Sequence, residues 1–499
     1  MKSSFYRKKW SNLQARFAEP AEVSRLTRQI AYSFMDAYLK NCHYEEDYIN
    51  LLCEMTTISH DASISRIAAQ ALFSIIIEGL CDDFEELQTE TYNQVMSQII
   101  SFCRKLPAGK ELDRSLNTFQ ILSQNDLLER INTMRLDTKT LPPQNEVKKI
   151  LLLSRVTIGA DVAVTSIIIQ RLTELFPQAE LVLIGGSKLN EIYGGNPRIR
   201  LCQASYNREG GLLERLSSWQ CVLDIIFREL ASCPLPNTIL IDPDSRLSQL
   251  GVLPLISPDH YFFFDSRSEV SFAGNMSMAQ LTNAWLDKVT GVEDFHYPSV
   301  WLAPNTMQQA KSLYSRLKSS GAQRIIAANF GVGSNPRKRV GRLLETELLQ
   351  ALLQEPGTVV LLDKGFGDEE VEYTNSLLDT VKGNGHYTRD ATLNTKFEND
   401  IHQGIIGMQT SIGEIAAIIA NSDEYIGYDS ACQHIAAALR TPCITIFAGS
   451  NNKRFIRRWS AFGPNSCQIV HVDTITNPTA IDAHDIITRI MNERKMQTK

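Results

Sequence analysis

Several residues of this chain have the types and spacing that chemistry needs. Asp429 and Ser430 end a short apolar run that begins at Tyr425, and a helix-like segment, residues 431–439, follows at once. A second apolar run, residues 443–447, comes after Pro442. That order reads as strand, turn, helix, strand. Either Asp429 or Ser430 can cap the helix by accepting from orphan backbone N–H groups. The remaining N–H groups, those of Ser430 and Ala431 first, and the helix dipole then make the turn a site for a phosphate. His434 lies one turn into the helix, where a lone histidine is more often structural than a ligand. The same order recurs earlier. Residues 149–153 read as a buried strand, 154–161 as a turn containing Gly159, 162–176 as a helix and 180–184 as the next strand. A β-α-β unit with a glycine in its first turn is a nucleotide-type scaffold. Asp161 stands where this helix begins, a position that favours a capping carboxylate.

Three further groups carry polar chemistry near strand ends. Gly331 and Gly333 precede a basic run, Arg337, Lys338, Arg339 and Arg342, which alone reads as a solvated turn. Glu369 and Glu370 follow a strand and open a helix. They fit contact with ribose hydroxyls, or simply the acidic enrichment of a first helical turn. Asp242, Asp244 and Arg246 follow another strand, and ligands of parallel sheets bind beyond the carboxyl ends of strands. The Asp-x-Asp spacing also matches a metal-binding pattern.

Positioning these groups takes more than one domain, since 499 residues exceed a single core. Residues 1–140 carry apolar side chains at helical spacing, over 21–39, 62–78, 84–103 and 111–134. Pro142-Pro143 reads as a linker. Residues 149–300 and 301–499 alternate short apolar strands with amphipathic segments. The strands expected are 150–153, 181–184, 199–202, 238–241 and 261–264 in the first block, and 324–329, 358–362, 424–427 and 443–447 in the second. Residues 480–494 read as a terminal helix. This pattern predicts an α/β chain with two parallel sheets, preceded by a separable helical domain.

Composition narrows the function classes. The net charge of −6 argues against a nucleic-acid binder. The densest apolar stretch, residues 71–77, is too short to span a membrane. Arg7, Lys8 and Lys9 are not followed by an apolar run, so no secretory signal is expected. The ten cysteines run from Cys42 to Cys467 without a Cys-x-x-Cys pair, as in reduced cytoplasmic proteins.

Residues 149–472 together resemble glycosyltransferase family 9, the heptosyltransferases of the GT-B fold class. Four pieces carry the resemblance: the first strand with Arg155, Gly159 and Asp161; residues 329–339 ending in Arg337-Lys338-Arg339; Val359-Val-Leu-Leu362 followed by Gly367-Asp368-Glu369-Glu370; and Asp429-Ser430-x-x-x-His434 with Thr441-Pro442 and Phe462-Gly463-Pro464. The chain departs from the family at Ala160, inserted before Asp161, at Ala431, where the family has glycine, and at the turn 447–450. The resemblance implies two Rossmann-like domains facing a cleft: residues 149–300 on the acceptor side, 301–499 binding the nucleotide sugar. It implies inverting, metal-independent transfer of a sugar, ADP-heptose being the first choice of donor, to a saccharide, lipid-linked glycan or protein hydroxyl. No other cofactor is implied. Asp161 would be the general base. Lys338, Arg339, Ser430 and Ala431 would hold the diphosphate, Asp429 and His434 would support them, and Glu369 or Glu370 would bind ribose. Asp242, Asp244 and Arg246 would lie on the acceptor side. The alternatives are a catalytically silent nucleotide-sugar sensor or scaffold, and a nucleotide-sugar epimerase. Peripheral membrane contact stays open.

Overall fold

Alternation of short apolar strands with helices gives two parallel sheets, as a computed structural model of the chain shows. It describes all residues except 1, 15–18, 42, 58–61, 82–83, 137–138, 209, 268–274, 334, 396–399 and 498–499. Cys42, and Ser334 of the glycine-bearing loop, thus lie outside the described residues. The first sheet contains β1 (Lys149–Leu153), β2 (Glu180–Gly185), β3 (Ile199–Gln203), β4 (Thr238–Asp242) and β5 (Tyr261–Phe263) in the order β3-β2-β1-β4-β5. The second contains β6 (Arg324–Asn329), β7 (Thr358–Asp363), β8 (Thr388–Ala391), β9 (Gly404–Met408), β10 (Glu424–Tyr428), β11 (Cys443–Phe447) and β12 (Cys467–His471) in the order β12-β11-β10-β6-β7-β9-β8. Every residue of β1, β7, β10 and β11 is buried. That is why these four read as unbroken apolar runs rather than alternating ones.

The chain divides into two compact units, and their boundaries do not follow the expected 1–140, 149–300 and 301–499. One unit is Met1–Val156, Gln178–Gly186 and Cys202–Gly274; the other is Thr157–Pro177, Ser187–Leu201 and Asn275–Lys499. In the first unit a single apolar cluster runs from Tyr6, Trp10 and Phe34 in the N-terminal helices through Leu127 and Ile131 to Leu151, Val182, Leu240 and Phe263 in the sheet. The helices therefore share the core of the first sheet. Polar contacts follow the same seam. Arg135 Nε lies 2.6 Å from Asp265 Oδ2, and Arg130 Nη1 donates to the Gly251 carbonyl at 2.6 Å. In the second unit Leu348, Leu349 and Leu352 join β6, β7, β10 and the terminal Ala483–Gln497 helix in one core.

Three local differences from the sequence expectation have physical causes. The segment 111–134 is two helices, Lys110–Thr118 and Gln124–Leu136. The break is made by Gln120 in the left-handed region (φ 60°) and by Asp126, whose Oδ2 accepts from the N–H groups of Leu122 and Ser123. β8, β9 and β12 went unread because β8 is polar, β9 carries two glycines and β12 is only partly buried. The helix expected to start at residue 162 starts at Ile158, and residues 161–165 form a wider π-type turn within it. Such turns are rare and recur at functional sites.

Candidate functional site

The first βα turn leaves β1 through a strained step. Val156 has φ 77°, a conformation disfavoured for a β-branched side chain, and its N–H donates to Ser154 Oγ at 2.8 Å. The helix that follows places Asp161 in its first turn. The Asp161 N–H donates to the Thr157 carbonyl at 2.9 Å, its carbonyl accepts from Tyr193 Oη at 2.7 Å, and its Oδ1 accepts from Thr165 Oγ1 at 2.8 Å. The residue is 1% exposed. Gly159 faces the Ala431–Ala438 helix. A Cβ there would lie 3.1 Å from His434 Cδ2 and 3.2 Å from Ala431 Cα. The close approach is made by the glycine at 159, on the opposite partner from the family's glycine at the position of Ala431. Thus the turn that carries Asp161 meets Ala431 and His434 within one unit, through Gly159.

Lys338 joins them from the other side. Its Nζ lies 2.5 Å from Asp429 Oδ2 and 3.3 Å from the Asp429 carbonyl, and Asp429 Oδ1 accepts from Gln433 Nε2 at 2.5 Å. Ser430 caps the helix, its Oγ accepting from the Cys432 N–H at 3.3 Å. Lys338 sits in a single turn, Pro336–Lys338, opened by Asn335, whose side chain accepts from the Arg337 N–H at 3.2 Å. The turn after β11 supports this stretch. Gly449 has φ 78°, and a Cβ on it would come within 2.8 Å of the Arg337 carbonyl oxygen and 3.0 Å of the Lys338 nitrogen. The sequence marked that turn only as a departure from the family. Its positive φ is a backbone property that the glycine allows but does not announce.

Arg339 is turned elsewhere. Its guanidinium lies 3.9 Å over the Tyr373 ring, donates to the Phe330 carbonyl at 3.3 Å, and stands 3.9 and 4.0 Å from Glu345 and Glu370. Glu370 fastens two loops. Its Oε1 accepts from the N–H groups of Val332 and Gly333 at 2.8 and 2.9 Å, and its Oε2 from that of Phe366 at 2.8 Å. Those bonds occupy both oxygens of Glu370, while Glu369 beside it is exposed.

Asp242, Asp244 and Arg246 belong to the first unit. Asp242 is fully buried and accepts from the Ser245 N–H at 2.7 Å, from Ser248 Oγ at 2.5 Å and from Tyr261 Oη. Asp244 has φ 62°, accepts from Ser266 Oγ at 2.7 Å, and lies 3.3 Å from Arg267 Nε and 3.9 Å from Arg155. Arg246 is half-buried at the start of a single turn that Ser245 caps. Among the described residues one metal-ligating group converges, Glu174, Asp294 and His296, with ligand atoms within 4.8 Å of one another. Arg171 already stands 3.7 Å from Asp294, so the group carries no assignment.

Two buried groups set an opposed pH dependence. Burial drives the His434 imidazole down to about 4, with Lys338 lowering it further and Asp429 opposing. The unfolded chain then binds the proton more readily, so this group's stability is lost as pH falls from about 6.5 to 4. Burial drives the Asp242 carboxyl up to about 6 against its hydrogen bonds. Here the folded chain holds the proton more tightly, so stability is lost as pH rises from about 4 to 6. Each is worth about 3 kcal/mol by linkage, and the two nearly cancel in the wild type. His434→Gln is expected to gain stability relative to wild type on acidification, and Asp242→Asn to lose it. Urea midpoints at pH 4, 5, 6 and 7 measure both. Parallel curves for all three proteins would refute the assignment.

The sequence profile of glycosyltransferase family 9 (heptosyltransferase) matches residues 388–479. The segment spans β8 to β12 and includes Asp429, Ser430, Ala431 and His434. No curated protein sequence matches the chain. Among solved structures it is similar to a glycosyltransferase of family 9 from Veillonella parvula, at 15% identity and TM-score 0.51, over 71% of this chain and 98% of that one. It is also similar to the E. coli ADP-heptose lps heptosyltransferase II, at 14% identity and TM-score 0.45, over 70% and 100%. A third is the E. coli heptosyltransferase WaaC with ADP, at 11% identity and TM-score 0.43, over 69% and 99%. The chain has a GT-B-type α/β fold with a helical N-terminal region. Among the described residues no helix is long and apolar enough to cross a membrane.

Proposed function

We propose that this chain acts as a family 9 glycosyltransferase and transfers a sugar from a nucleoside diphosphate donor, ADP-heptose first, to a saccharide, lipid-linked glycan or protein hydroxyl. The observation that carries the reading is Lys338 Nζ beside Asp429 at the Ser430-capped start of the Ala431–Ala438 helix. A cation and a helix N-terminus converge there, within the segment that matches the family at its helix side. In the reaction the Asp161 carboxylate takes the proton of the acceptor hydroxyl. The freed oxygen pair attacks the anomeric carbon, and the bond from that carbon to the diphosphate oxygen breaks with inversion. The electron pair leaves on the nucleoside diphosphate. Lys338 and the N–H groups of Ser430 and Ala431 stabilise that charge without a metal. Arg339 acts at one remove, holding the loop that carries Lys338. Glu369, exposed beside Glu370, is the better placed of the two for ribose hydroxyls.

Lys338→Ala is the direct test. It removes a charge-assisted bond of about 1.5–3 kcal/mol, so affinity for ADP should fall roughly 10- to 100-fold. Calorimetric titration of the folded variant reads this. Unchanged affinity would take Lys338 out of the site.

A further inference from the structure

Phe366 is an apolar side chain left almost wholly in water, 78% exposed. A single exposed phenylalanine needs no explanation. This one is held in place. It follows β7, at the carboxyl end of a parallel strand, where ligands of such sheets bind. Gly365 and Gly367 flank it with φ of 82° and 87°, a path that side chains resist, so the loop is shaped to present residue 366 outward. Its N–H is bonded to Glu370, whose other oxygen holds Val332 and Gly333 of the loop leading to Lys338. The ring is therefore fixed to the same framework as the diphosphate site. Its π-face is also in use: Lys188 Nζ lies 3.6 Å from the ring centroid. One face is covered by the ammonium group, and the remaining surface is open.

We infer that Phe366 stacks on the base of the donor nucleotide and contributes to base selection. The inference rests on the proposed nucleotide-sugar reading and names the group that would hold the end of the donor away from the sugar. A flat aromatic ring suits a base because every base has a π-face, and a purine offers it more area than a pyrimidine.

The experiment is calorimetric titration of the full chain and of Phe366→Ala, Phe366→Leu and Phe366→Trp with ADP, UDP and inorganic pyrophosphate. Removing a stacking ring should weaken ADP roughly 5- to 100-fold. Phe366→Leu, which keeps bulk but has no flat face, should lose nearly as much as Phe366→Ala, and Phe366→Trp should retain ADP. UDP should lose less than ADP. Pyrophosphate, which has no base, should bind all four proteins alike. ADP binding unchanged in Phe366→Ala overturns the inference and leaves the nucleotide reading standing. Equal losses for ADP and pyrophosphate also overturn it, because the ring would then only shape the loop. A wild-type chain that binds neither ligand fails the nucleotide reading itself.

Discussion

Asp161→Asn is expected to bind the sugar-nucleotide donor as tightly as wild type and to transfer sugar about 10²–10⁴-fold more slowly, the usual loss of a general base. The exchange is nearly isosteric. An asparagine oxygen can still accept from Thr165 Oγ1, and the backbone bonds to Thr157 and Tyr193 are untouched. What disappears is the basic oxygen. Donor affinity by calorimetry and turnover with a working acceptor, measured on one preparation, separate the two effects. Near-normal turnover in the variant would mean that Asp161 only shapes its turn and that Ala160 has displaced the family's register. A wild type that binds donor and shows no turnover with any acceptor would instead be the behaviour of a nucleotide-sugar sensor.

Deleting residues 1–144 is expected to be more damaging than the Pro142-Pro143 break suggests. The core of the N-terminal helices is continuous with that of the first sheet. Leu116, Leu127 and Ile131 are fully buried in the cluster that includes Leu151 and Leu240. Fully burying side chains of this kind is worth about 1.5–3 kcal/mol each, and the sheet would lose that cover. Asp265 would lose Arg135, and stripping one partner from a buried ion pair costs about 3–5 kcal/mol. A few such losses exceed the roughly 5–15 kcal/mol by which domains are stable. The fragment 145–499 should therefore be insoluble, or should lack a cooperative melt of its first sheet. A soluble fragment that unfolds in one transition at the wild-type temperature would show that the helices are a detachable domain after all.

The sequence carried nine strands, eight of them because burial on both faces leaves few polar positions to mislead; β3 is the exception, with no fully buried residue. The sequence did not carry β8, whose residues are polar, or β9, where Gly404 has φ 137° and Gly407 lies against Leu378, since glycine signals permission rather than a strand. Within the candidate site, residue types near strand ends were legible one at a time. Most of their pairings were not; Asp429 with Lys338 was expected only as the alternative to a helix cap. Nothing local in Arg337-Lys338-Arg339 says that the third side chain lies over Tyr373. Nor does adjacency distinguish Glu370, committed to three backbone N–H groups, from Glu369. Those choices are made by chain brought near from far away, 91 residues distant in the case of Lys338.

The interleaving of the two units along the chain has a consequence for biosynthesis. The first unit is complete in sequence once Gly274 has emerged. The second holds Thr157–Pro177 and Ser187–Leu201 but takes its remaining part from Asn275–Lys499. Ile167, Ile168 and Ile169, all fully buried in the finished protein, must leave the ribosome well before most of their own unit exists. At ordinary elongation rates that wait is on the order of tens of seconds. During it the nascent chain carries an apolar helix with much of its own unit still unmade, a binding site for a chaperone that the finished protein no longer displays.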